Sequence, residues 1–131
     1  MNLPSDRPWV ENARVLVLED EFLIALELER IFEAAGAREV VITGRVEDAV
    51  AALARPEPFD LAVLDVQIGK HSSEEIALIL VERRVPFVYG TGMDSSLAIP
   101  DRLRHIPVAA KPYNAQALLT ALAQARAALG S

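Results

Sequence analysis

Four apolar, strand-like runs of this chain each end at polar residues that can bind a metal ion or a phosphoryl group. In a parallel α/β sheet the C-terminal ends of the strands share one edge, and ligands bind in the crevice outside that edge. The pattern therefore predicts that polar residues far apart in the sequence converge on one site. The runs are 15–18 before Glu19 and Asp20, 61–64 before Asp65, 86–89 before Gly90 and Thr91, and 106–110 before Lys111 and Pro112.

Segments with a helical apolar period separate these runs. The runs themselves are short and continuously apolar, which is typical of strands buried on both faces. Strands alternating with helices predict a doubly wound, flavodoxin-like, five-stranded parallel sheet of order 2-1-3-4-5, with its switch point between the first and third strands. We predict strands over 14–18, 39–43, 59–64, 86–90 and 106–110, and helices over 21–35, 46–54, from about 73 to 84, and over 115–129.

The connections between these elements are less regular. Residues 93–105 predict a short or irregular fourth helix, broken at Pro100, or mostly a loop. Residues 67–73 predict a loop, after which Ser72 or Ser73 caps the third helix. Asn114 is expected to cap the last helix, because a side-chain oxygen there can accept a free backbone N–H.

The chain is long enough for one globular domain. It has 131 residues, of which 52% are hydrophobic and 24% charged, and this composition is typical of a folded domain with a single core. We expect a polar tail over residues 1–12, anchored by Trp9, and the domain over residues 13–131. Few residues follow the last helix, so no effector domain is expected in this chain.

Charge and cysteine content exclude several classes of function. The net charge of −6 and the pI of about 4.9 argue against unassisted binding to nucleic acid, which needs a basic surface. The absence of cysteine excludes disulfides, thiolate catalysis and cysteine–zinc sites. No apolar segment has the length of a signal peptide or a membrane span. We therefore expect a cytoplasmic protein with no membrane partner.

The acids predict a Mg²⁺ site. Glu19, Asp20 and Asp65 would offer three carboxylates, and carboxylate oxygen is a ligand that Mg²⁺ prefers. Asp20 would reach the ion directly, and Glu19 directly or through a water, while Glu21 faces solvent. The backbone carbonyl of Gln67 could add a ligand. The alternative is a solvated loop whose acids only complement the positive end of the first helix.

Asp65, Thr91 and Lys111 form the second part of the predicted site. A carboxylate at the end of such an apolar run can be a metal ligand or a nucleophile that accepts a phosphoryl group. Thr91 between two glycines and Lys111 before a proline could hold phosphoryl oxygens, and the Lys-Pro bond is a candidate for a cis peptide. The alternatives are a capping aspartate, a structural threonine and a surface lysine.

Together these residues resemble the response-regulator receiver domain of two-component signalling, over residues 14–129. The resemblance implies that Asp65 accepts a phosphoryl group from a phosphohistidine on a sensor histidine kinase or a histidine phosphotransfer protein. It also implies that Thr91 and Lys111 are the residues that hold the phosphoryl oxygens.

The resemblance further implies a Mg²⁺ cofactor. In this interpretation the carboxylates of Glu19, Asp20 and Asp65 and the backbone carbonyl of Gln67 serve the ion. Any enzymatic activity would then be limited to self-phosphorylation from the donor and autodephosphorylation.

The segment Val-Pro-Phe-Val-Tyr-Gly-Thr-Gly at 85–92 is similar to a subgroup of single-domain receivers with an aromatic–small–Thr-Gly motif in the fourth strand. Several members of that subgroup are linked to stress-response phosphorelays. This chain departs from ordinary receivers at Val108, where the switch aromatic usually stands, and at Gly69, where proline is common. Met93 and Asp94 stand where the subgroup usually has aromatic or glycine residues. These departures put the usual threonine–aromatic coupling in doubt, and leave the phosphorylation chemistry intact.

The leading hypothesis is a stand-alone receiver whose output is a protein contact or phosphoryl shuttling. One alternative is a small Mg²⁺-dependent phosphatase, which Gln67 disfavours because such an enzyme needs a second acid there. Another is a degenerate receiver that acts only as a structural binding module. The sequence leaves open the downstream protein target and the oligomeric state, including a homodimer.

Overall fold

The computed structural model describes residues 7–92 and 98–130. Its strands and helices alternate along the chain as predicted, with one small hairpin and one 3₁₀ turn, Asp101–Leu103, added. The elements are β1 (Arg14–Leu18), α1 (Phe22–Ala34), β2 (Glu39–Thr43), α2 (Val46–Leu53), β3 (Leu61–Asp65), β4 (Gln67–Ile68), β5 (His71–Ser72), α3 (Glu74–Glu82), β6 (Phe87–Thr91), β7 (Val108–Ala110) and α4 (Ala115–Gly130).

Five strands form one parallel sheet in the order β2-β1-β3-β6-β7. Counted over the strands of this sheet alone, this is the predicted order 2-1-3-4-5, so the flavodoxin-like fold is confirmed. The register pairs Leu18 with Leu64 and Asp65 with Gly90. The carboxyl ends of β1, β3 and β6 therefore lie side by side at one edge.

Both faces of the sheet are covered, which explains the continuously apolar strands. All of β1 is buried, and so is β3 up to its last residue. Alternate residues point to opposite faces, so Leu16 and Leu64 pack with α2 and α3, while Val17 and Val63 pack with α1 and α4. A polar residue at the end of such a strand is held by a rigid, buried backbone.

The third strand begins later and ends later than predicted. It was predicted over 59–64, but pairing with β1 starts where Val15 meets Leu61, and Asp65 is its last residue. Before it, Asp60 accepts the backbone N–H of Arg14 on its side chain at 2.8 Å. The Arg14 guanidinium lies 4.1 Å over the ring of Phe59. The backbone N–H of Asp60 also donates to the Arg14 carbonyl at 2.8 Å, so these two residues contact the start of β1 just before the paired strand begins.

The predicted loop over 67–73 contains an antiparallel hairpin of β4 and β5. Its turn needs Gly69, whose φ of +62° is a conformation that side chains with a Cβ rarely adopt. Ser72 or Ser73 was the predicted cap of α3: Ser73 is at the N-cap position but makes no side-chain cap bond, while the Oγ of Ser72, one residue earlier, accepts the Glu74 N–H at 3.0 Å. The predicted cap of α4 is confirmed as well, since Asn114 Oδ1 accepts the Ala117 N–H at 3.0 Å.

The predicted fourth helix is reduced to a turn in the part that the structure describes. Residues 93–97 lie outside the described residues, and the 3₁₀ turn Asp101–Leu103 follows Pro100 with Leu103 buried. The last strand starts at Val108 and not at 106 as predicted. The N–H of Ile106 is already bonded to the Leu103 carbonyl at 3.1 Å, so this residue belongs to the turn.

Residues 7–12 form turns that pack on α4 and β1. Val10 is fully buried, Trp9 packs against the core as predicted, and the guanidinium of Arg126 lies 5.3 Å from its ring centroid. The division into a tail and a domain at residue 13 stays a prediction. No helix within 7–92 or 98–130 is long and apolar enough to cross a membrane.

Candidate functional site at the carboxyl edge of the sheet

Four strand ends bring the predicted polar residues to the carboxyl edge. Glu19 and Asp20 follow β1, Asp65 ends β3, Thr91 ends β6 and Lys111 follows β7. Parallel pairing fixes their order, and the Thr91 carbonyl accepts the Lys111 N–H at 2.9 Å.

Lys111 lies between two acids. Its Nζ is 2.8 Å from Asp65 Oδ2 and 2.6 Å from Glu19 Oε1, and its side chain is only 11% exposed. Burial by itself lowers the pKa of Lys111, but the contacts with Asp65 and Glu19 outweigh it, so the pKa is raised overall. The ammonium is therefore held in its charged form beside Asp65.

Glu19 is the least solvated acid of the group. Its Oε2 accepts the backbone N–H of Glu21 at 3.1 Å. Its Oε1 is buried and has no aligned hydrogen bond among the described residues, although Lys111 makes an ion pair with it. Burial raises the pKa of Glu19 even though Lys111 and the Glu21 N–H lower it. A further cation at Oε1 would compensate the desolvated charge.

The acid cluster has the composition of a Mg²⁺ site. Glu19, Asp20 and Asp65 each offer one carboxylate oxygen, and these oxygens all lie within 4.8 Å of one another. Asp20 is exposed, which leaves one side open for the waters that Mg²⁺ retains. With the buried Glu19 Oε1 lacking an aligned hydrogen bond, the residues present fit the ion.

Gln67 and Thr91 flank Asp65. The Gln67 backbone N–H points at Asp65 Oδ1 across a long 3.4 Å, and its side chain is exposed. The role of its carbonyl as a metal ligand stays a prediction. Thr91 is half-buried at the end of β6, opposite Ala110, so its hydroxyl lies at the same edge as the acids.

Tyr113 is a residue of the site that the sequence did not indicate. It is 6% exposed, and a Cβ placed on Gly90 would lie 1.6 Å from its hydroxyl oxygen. Burial raises the pKa of Tyr113, and so do the charges of Glu19 and Asp65. The phenol is therefore neutral. The available signal was Gly90, because glycine inside a strand often marks a close approach of another group.

A second buried tyrosine lies next to the loop that follows Asp65. Tyr89 is 1% exposed, and burial raises its pKa to about 12 although a hydrogen bond with Ser73 lowers it. The Ser73 hydroxyl also donates to the carbonyl of Val66 at 3.0 Å. Because Val66 follows Asp65 directly, these contacts fix the start of the loop after β3.

Comparison with known proteins identifies the class. No family model matches the chain. The solution structure of SdrG from Sphingomonas melonis Fr1 is 33% identical, with a TM-score of 0.78, and the match covers 86% of this chain and 95% of that one. Its BeF3-activated conformation, from Pseudomonas melonis Fr1, is 31% identical, with a TM-score of 0.72, over 88% and 98% of the two chains.

Two further relatives extend this result. A response regulator receiver domain protein from Clostridium thermocellum shares the fold, with a TM-score of 0.74 at 20% identity over 88% of this chain and 95% of that one. The transcriptional regulatory protein YvrH of Bacillus subtilis is 30% identical over 105 residues, which are 79% of this chain but only 43% of that protein. The chain belongs to the response-regulator receiver domains, as the sequence predicted.

Proposed function

We propose that this receiver accepts a phosphoryl group on Asp65 from a phosphohistidine of a sensor histidine kinase or histidine phosphotransfer protein. One observation carries the proposal: Asp65 is held at 2.8 Å by Lys111 inside a cluster of three carboxylates at the sheet edge. A nucleophile, a cation for the transferred group and ligands for a metal ion are thus present together. This combination suits a receiver, which is a signalling protein rather than a classical enzyme.

The transfer forms a bond between an Asp65 carboxylate oxygen and phosphorus. The phosphorus–nitrogen bond to the donor imidazole breaks, and the imidazole keeps its electron pair. Lys111 moves from the carboxylate to a phosphoryl oxygen, and the Thr91 hydroxyl donates to another. Mg²⁺ held by Glu19, Asp20, Asp65 and the Gln67 carbonyl would offset the repulsion between these acids and the incoming phosphate.

The donor must reach the crevice past α1. Phe22 and Leu23 start this helix directly after the acid cluster, and each is 76% exposed. Exposed large apolar side chains beside a reaction centre suit a transient protein contact. We propose that they contact the phosphohistidine-bearing partner.

The output leaves the site through residues 90–105. Val108 stands at the position of the usual switch aromatic and is 49% exposed. Having neither a ring nor a hydroxyl, it cannot be drawn inwards as an aromatic side chain would be. Thr91 and Gly92 instead link the phosphoryl site directly to the following segment. Its target is a protein, which receives the signal or the phosphoryl group itself.

The test uses acetyl phosphate and Mg²⁺ followed by intact-protein mass. Wild type gains one phosphoryl group that is labile to base, and Asp65→Asn gains none. The control is Asp101→Asn, whose carboxylate is exposed and paired with Arg104 on the 3₁₀ turn, and which should label as wild type does. Equal labelling of Asp65→Asn would remove Asp65 from its role. Labelling from a phosphorylated histidine phosphotransfer domain then tests the donor class.

A further inference from the structure

The backbone of β6, the phenol of Tyr113 and the stem of Lys111 meet at one point. A Cβ on Gly90 would lie 1.6 Å from the Tyr113 hydroxyl oxygen, 2.8 Å from its Cζ and 3.3 Å from Lys111 Cε. Gly90 is paired in register with Asp65. The missing side chain of Gly90 therefore makes room, directly beside the acceptor, for both the phenol and the lysine.

This packing confines the lysine. A free lysine side chain has many rotamers, and fixing them costs conformational entropy. Here the stem is bounded by the Gly90 backbone, and its ammonium reaches Glu19 and Asp65 from there. Packing that excludes other Lys111 rotamers before the reaction lowers the entropic cost of placing the ammonium on a phosphoryl oxygen.

Resting on the proposed function, we propose that Tyr113 is a positioning residue: its hydroxyl, seated over Gly90 beside Lys111 Cε, limits the rotamers of the lysine. It thereby keeps the ammonium between Glu19 and Asp65 and sets the rate of phosphoryl transfer. Tyr113 does not touch the reacting atoms itself. Its effect passes through Lys111, and Gly90 is required because any side chain there would displace the hydroxyl.

The first measurement is the rate of phosphorylation by acetyl phosphate in saturating Mg²⁺. Tyr113→Phe should lower the first-order rate constant of phosphorylation at saturating acetyl phosphate, written kcat here, roughly tenfold by misplacement of Lys111. The half-saturating acetyl phosphate concentration, KM, should stay within about twofold of wild type, since small-molecule binding does not depend on the phenol. Thr120→Val is the control: it also deletes a hydroxyl from the segment after β7, but an exposed one on α4 that accepts a hydrogen bond from Arg7. It should keep the kcat of wild type.

The second measurement needs no phosphorylation and so separates this proposal from the proposed function. In ¹⁵N-lysine-labelled, metal-free protein, the Lys111 ammonium should give a slowly exchanging resonance that broadens or vanishes in Tyr113→Phe and persists in Thr120→Val. Wild type that cannot be phosphorylated but shows this pattern would refute the proposed function alone. A Lys111 resonance or a kcat unchanged by Tyr113→Phe overturns the positioning role.

Substitution of Gly90 tests the same contact from the other side. Gly90→Ala places a methyl group against the hydroxyl, and should displace Lys111 and lower kcat more than Tyr113→Phe does. Adding Tyr113→Phe to Gly90→Ala removes the colliding oxygen and should recover part of the rate and of the Lys111 resonance. Should Tyr113→Phe fail to fold, the Lys111 resonance of Gly90→Ala decides.

Discussion

Each edge of the sheet holds a buried cation among acids, yet the two arrangements are built differently. Arg14 at the amino edge is 3% exposed, and its partners Glu39 and Glu57 are about half exposed, at 48% and 49%. Lys111 at the carboxyl edge is nearly as buried, but its partners are buried too. At the amino edge only the cation is buried, and its acidic partners are solvated. At the carboxyl edge the cation and its acidic partners are all buried.

The two edges also differ in how completely the side chains around each cation are hydrogen-bonded. Arg14 Nε donates to Glu39 at 2.6 Å, its NH1 donates to the Glu57 carbonyl at 2.8 Å, and its plane stacks on Phe59. Lys111 leaves Glu19 Oε1 with an ion pair but no aligned hydrogen bond. Among the described residues, the buried side-chain oxygen that lacks an aligned hydrogen bond thus lies at the carboxyl edge, which keeps capacity for another ligand.

The carboxylates respond in opposite directions. A hydrogen bond from Arg38 is the main reason that the pKa of Glu57 is lowered, whereas burial is the main reason that the pKa of Glu19 is raised. A buried cation alone therefore does not mark a functional site in this fold. The feature that indicates a functional site is a buried carboxylate with an oxygen that lacks an aligned hydrogen bond, as in Glu19.

The largest expected difference follows removal of each cation in metal-free protein. Lys111→Met leaves Glu19 and Asp65 desolvated together, and we expect it to lower the free energy of unfolding by about 2–4 kcal/mol. Arg14→Met leaves acids that water can solvate, so about 1–3 kcal/mol is expected, mainly from lost packing and the bond to the Glu57 carbonyl. Urea unfolding measures both.

Magnesium separates the two variants further. It should recover part of the loss in Lys111→Met, because the ion replaces the missing charge beside Glu19 and Asp65, and it should leave the loss in Arg14→Met unchanged. If Mg²⁺ acts equally on both variants, the two edges do not differ in the way described.

The next effect concerns the metal in the wild-type protein. Mg²⁺ should stabilise the fold by RT ln(1 + [L]/Kd), roughly 1–3 kcal/mol at tens to hundreds of Kd, and Asp20→Ala should abolish this dependence. Glu21→Ala is the control, since its side chain is exposed and only its backbone N–H contacts Glu19. A melting temperature of wild type that ignores millimolar Mg²⁺ would count against the site.

A phosphoryl mimic should act on one edge only. With beryllofluoride and Mg²⁺, amide exchange is expected to change over residues 90–105, next to Thr91, and to stay unchanged around Arg14 and Glu39. Mass spectrometry of peptides after deuterium labelling resolves these segments. Changes confined to 106–110, with 90–105 constant, would show that the output takes another route.

The smallest expected effect is the pH dependence of the contributions that Glu19 and Glu57 make to the stability of the metal-free fold. Because the pKa of Glu19 is raised on folding, its charge destabilises the fold at neutral pH, and this cost disappears as the pH falls through the folded pKa towards the ordinary 4.5. Glu57 has a lowered pKa, so it stabilises above 4.5 and loses this effect as the pH falls through the folded pKa.

At neutral pH, Glu19→Gln should therefore raise the free energy of unfolding and Glu57→Gln should lower it, and both differences should shrink in acid. Glu27→Gln, on the exposed part of α1, controls for the change in net charge. Shifts of the same sign for both variants would contradict the opposite pKa directions.

The sequence predicted which residues lie at the carboxyl edge because each placement depends only on the residues of one strand. Each strand is a continuous apolar run, and the residue that ends it must lie at the shared edge, so Glu19, Asp65, Thr91 and Lys111 could be placed together without knowing any contact. The strand order followed from the alternation of strands and helices. The roles of these residues remain predictions until they are tested.

What the sequence did not predict depends on contacts between distant segments. Nothing in the pattern around Tyr113 shows that its hydroxyl fills the space left by Gly90. Arg14 reads as an ordinary first residue of a strand until Glu39, Glu57 and Phe59 are brought around it. The β4–β5 hairpin is too short to give a periodic signal, and the start of β3 at Leu61 is set by its pairing with β1.

The arrangement of the carboxyl edge also bears on how the chain acquires its activity. Asp65 and Lys111 are separated by 46 positions, and the strands that carry them have β6 between them. Parallel pairings of this kind form late, because long loops must close before any contact rewards them. A chain still lacking β7 would have acids but no cation between them. Competence for the proposed phosphoryl transfer should therefore appear in one step with the last strand, so that a partly folded chain cannot yet accept a phosphoryl group.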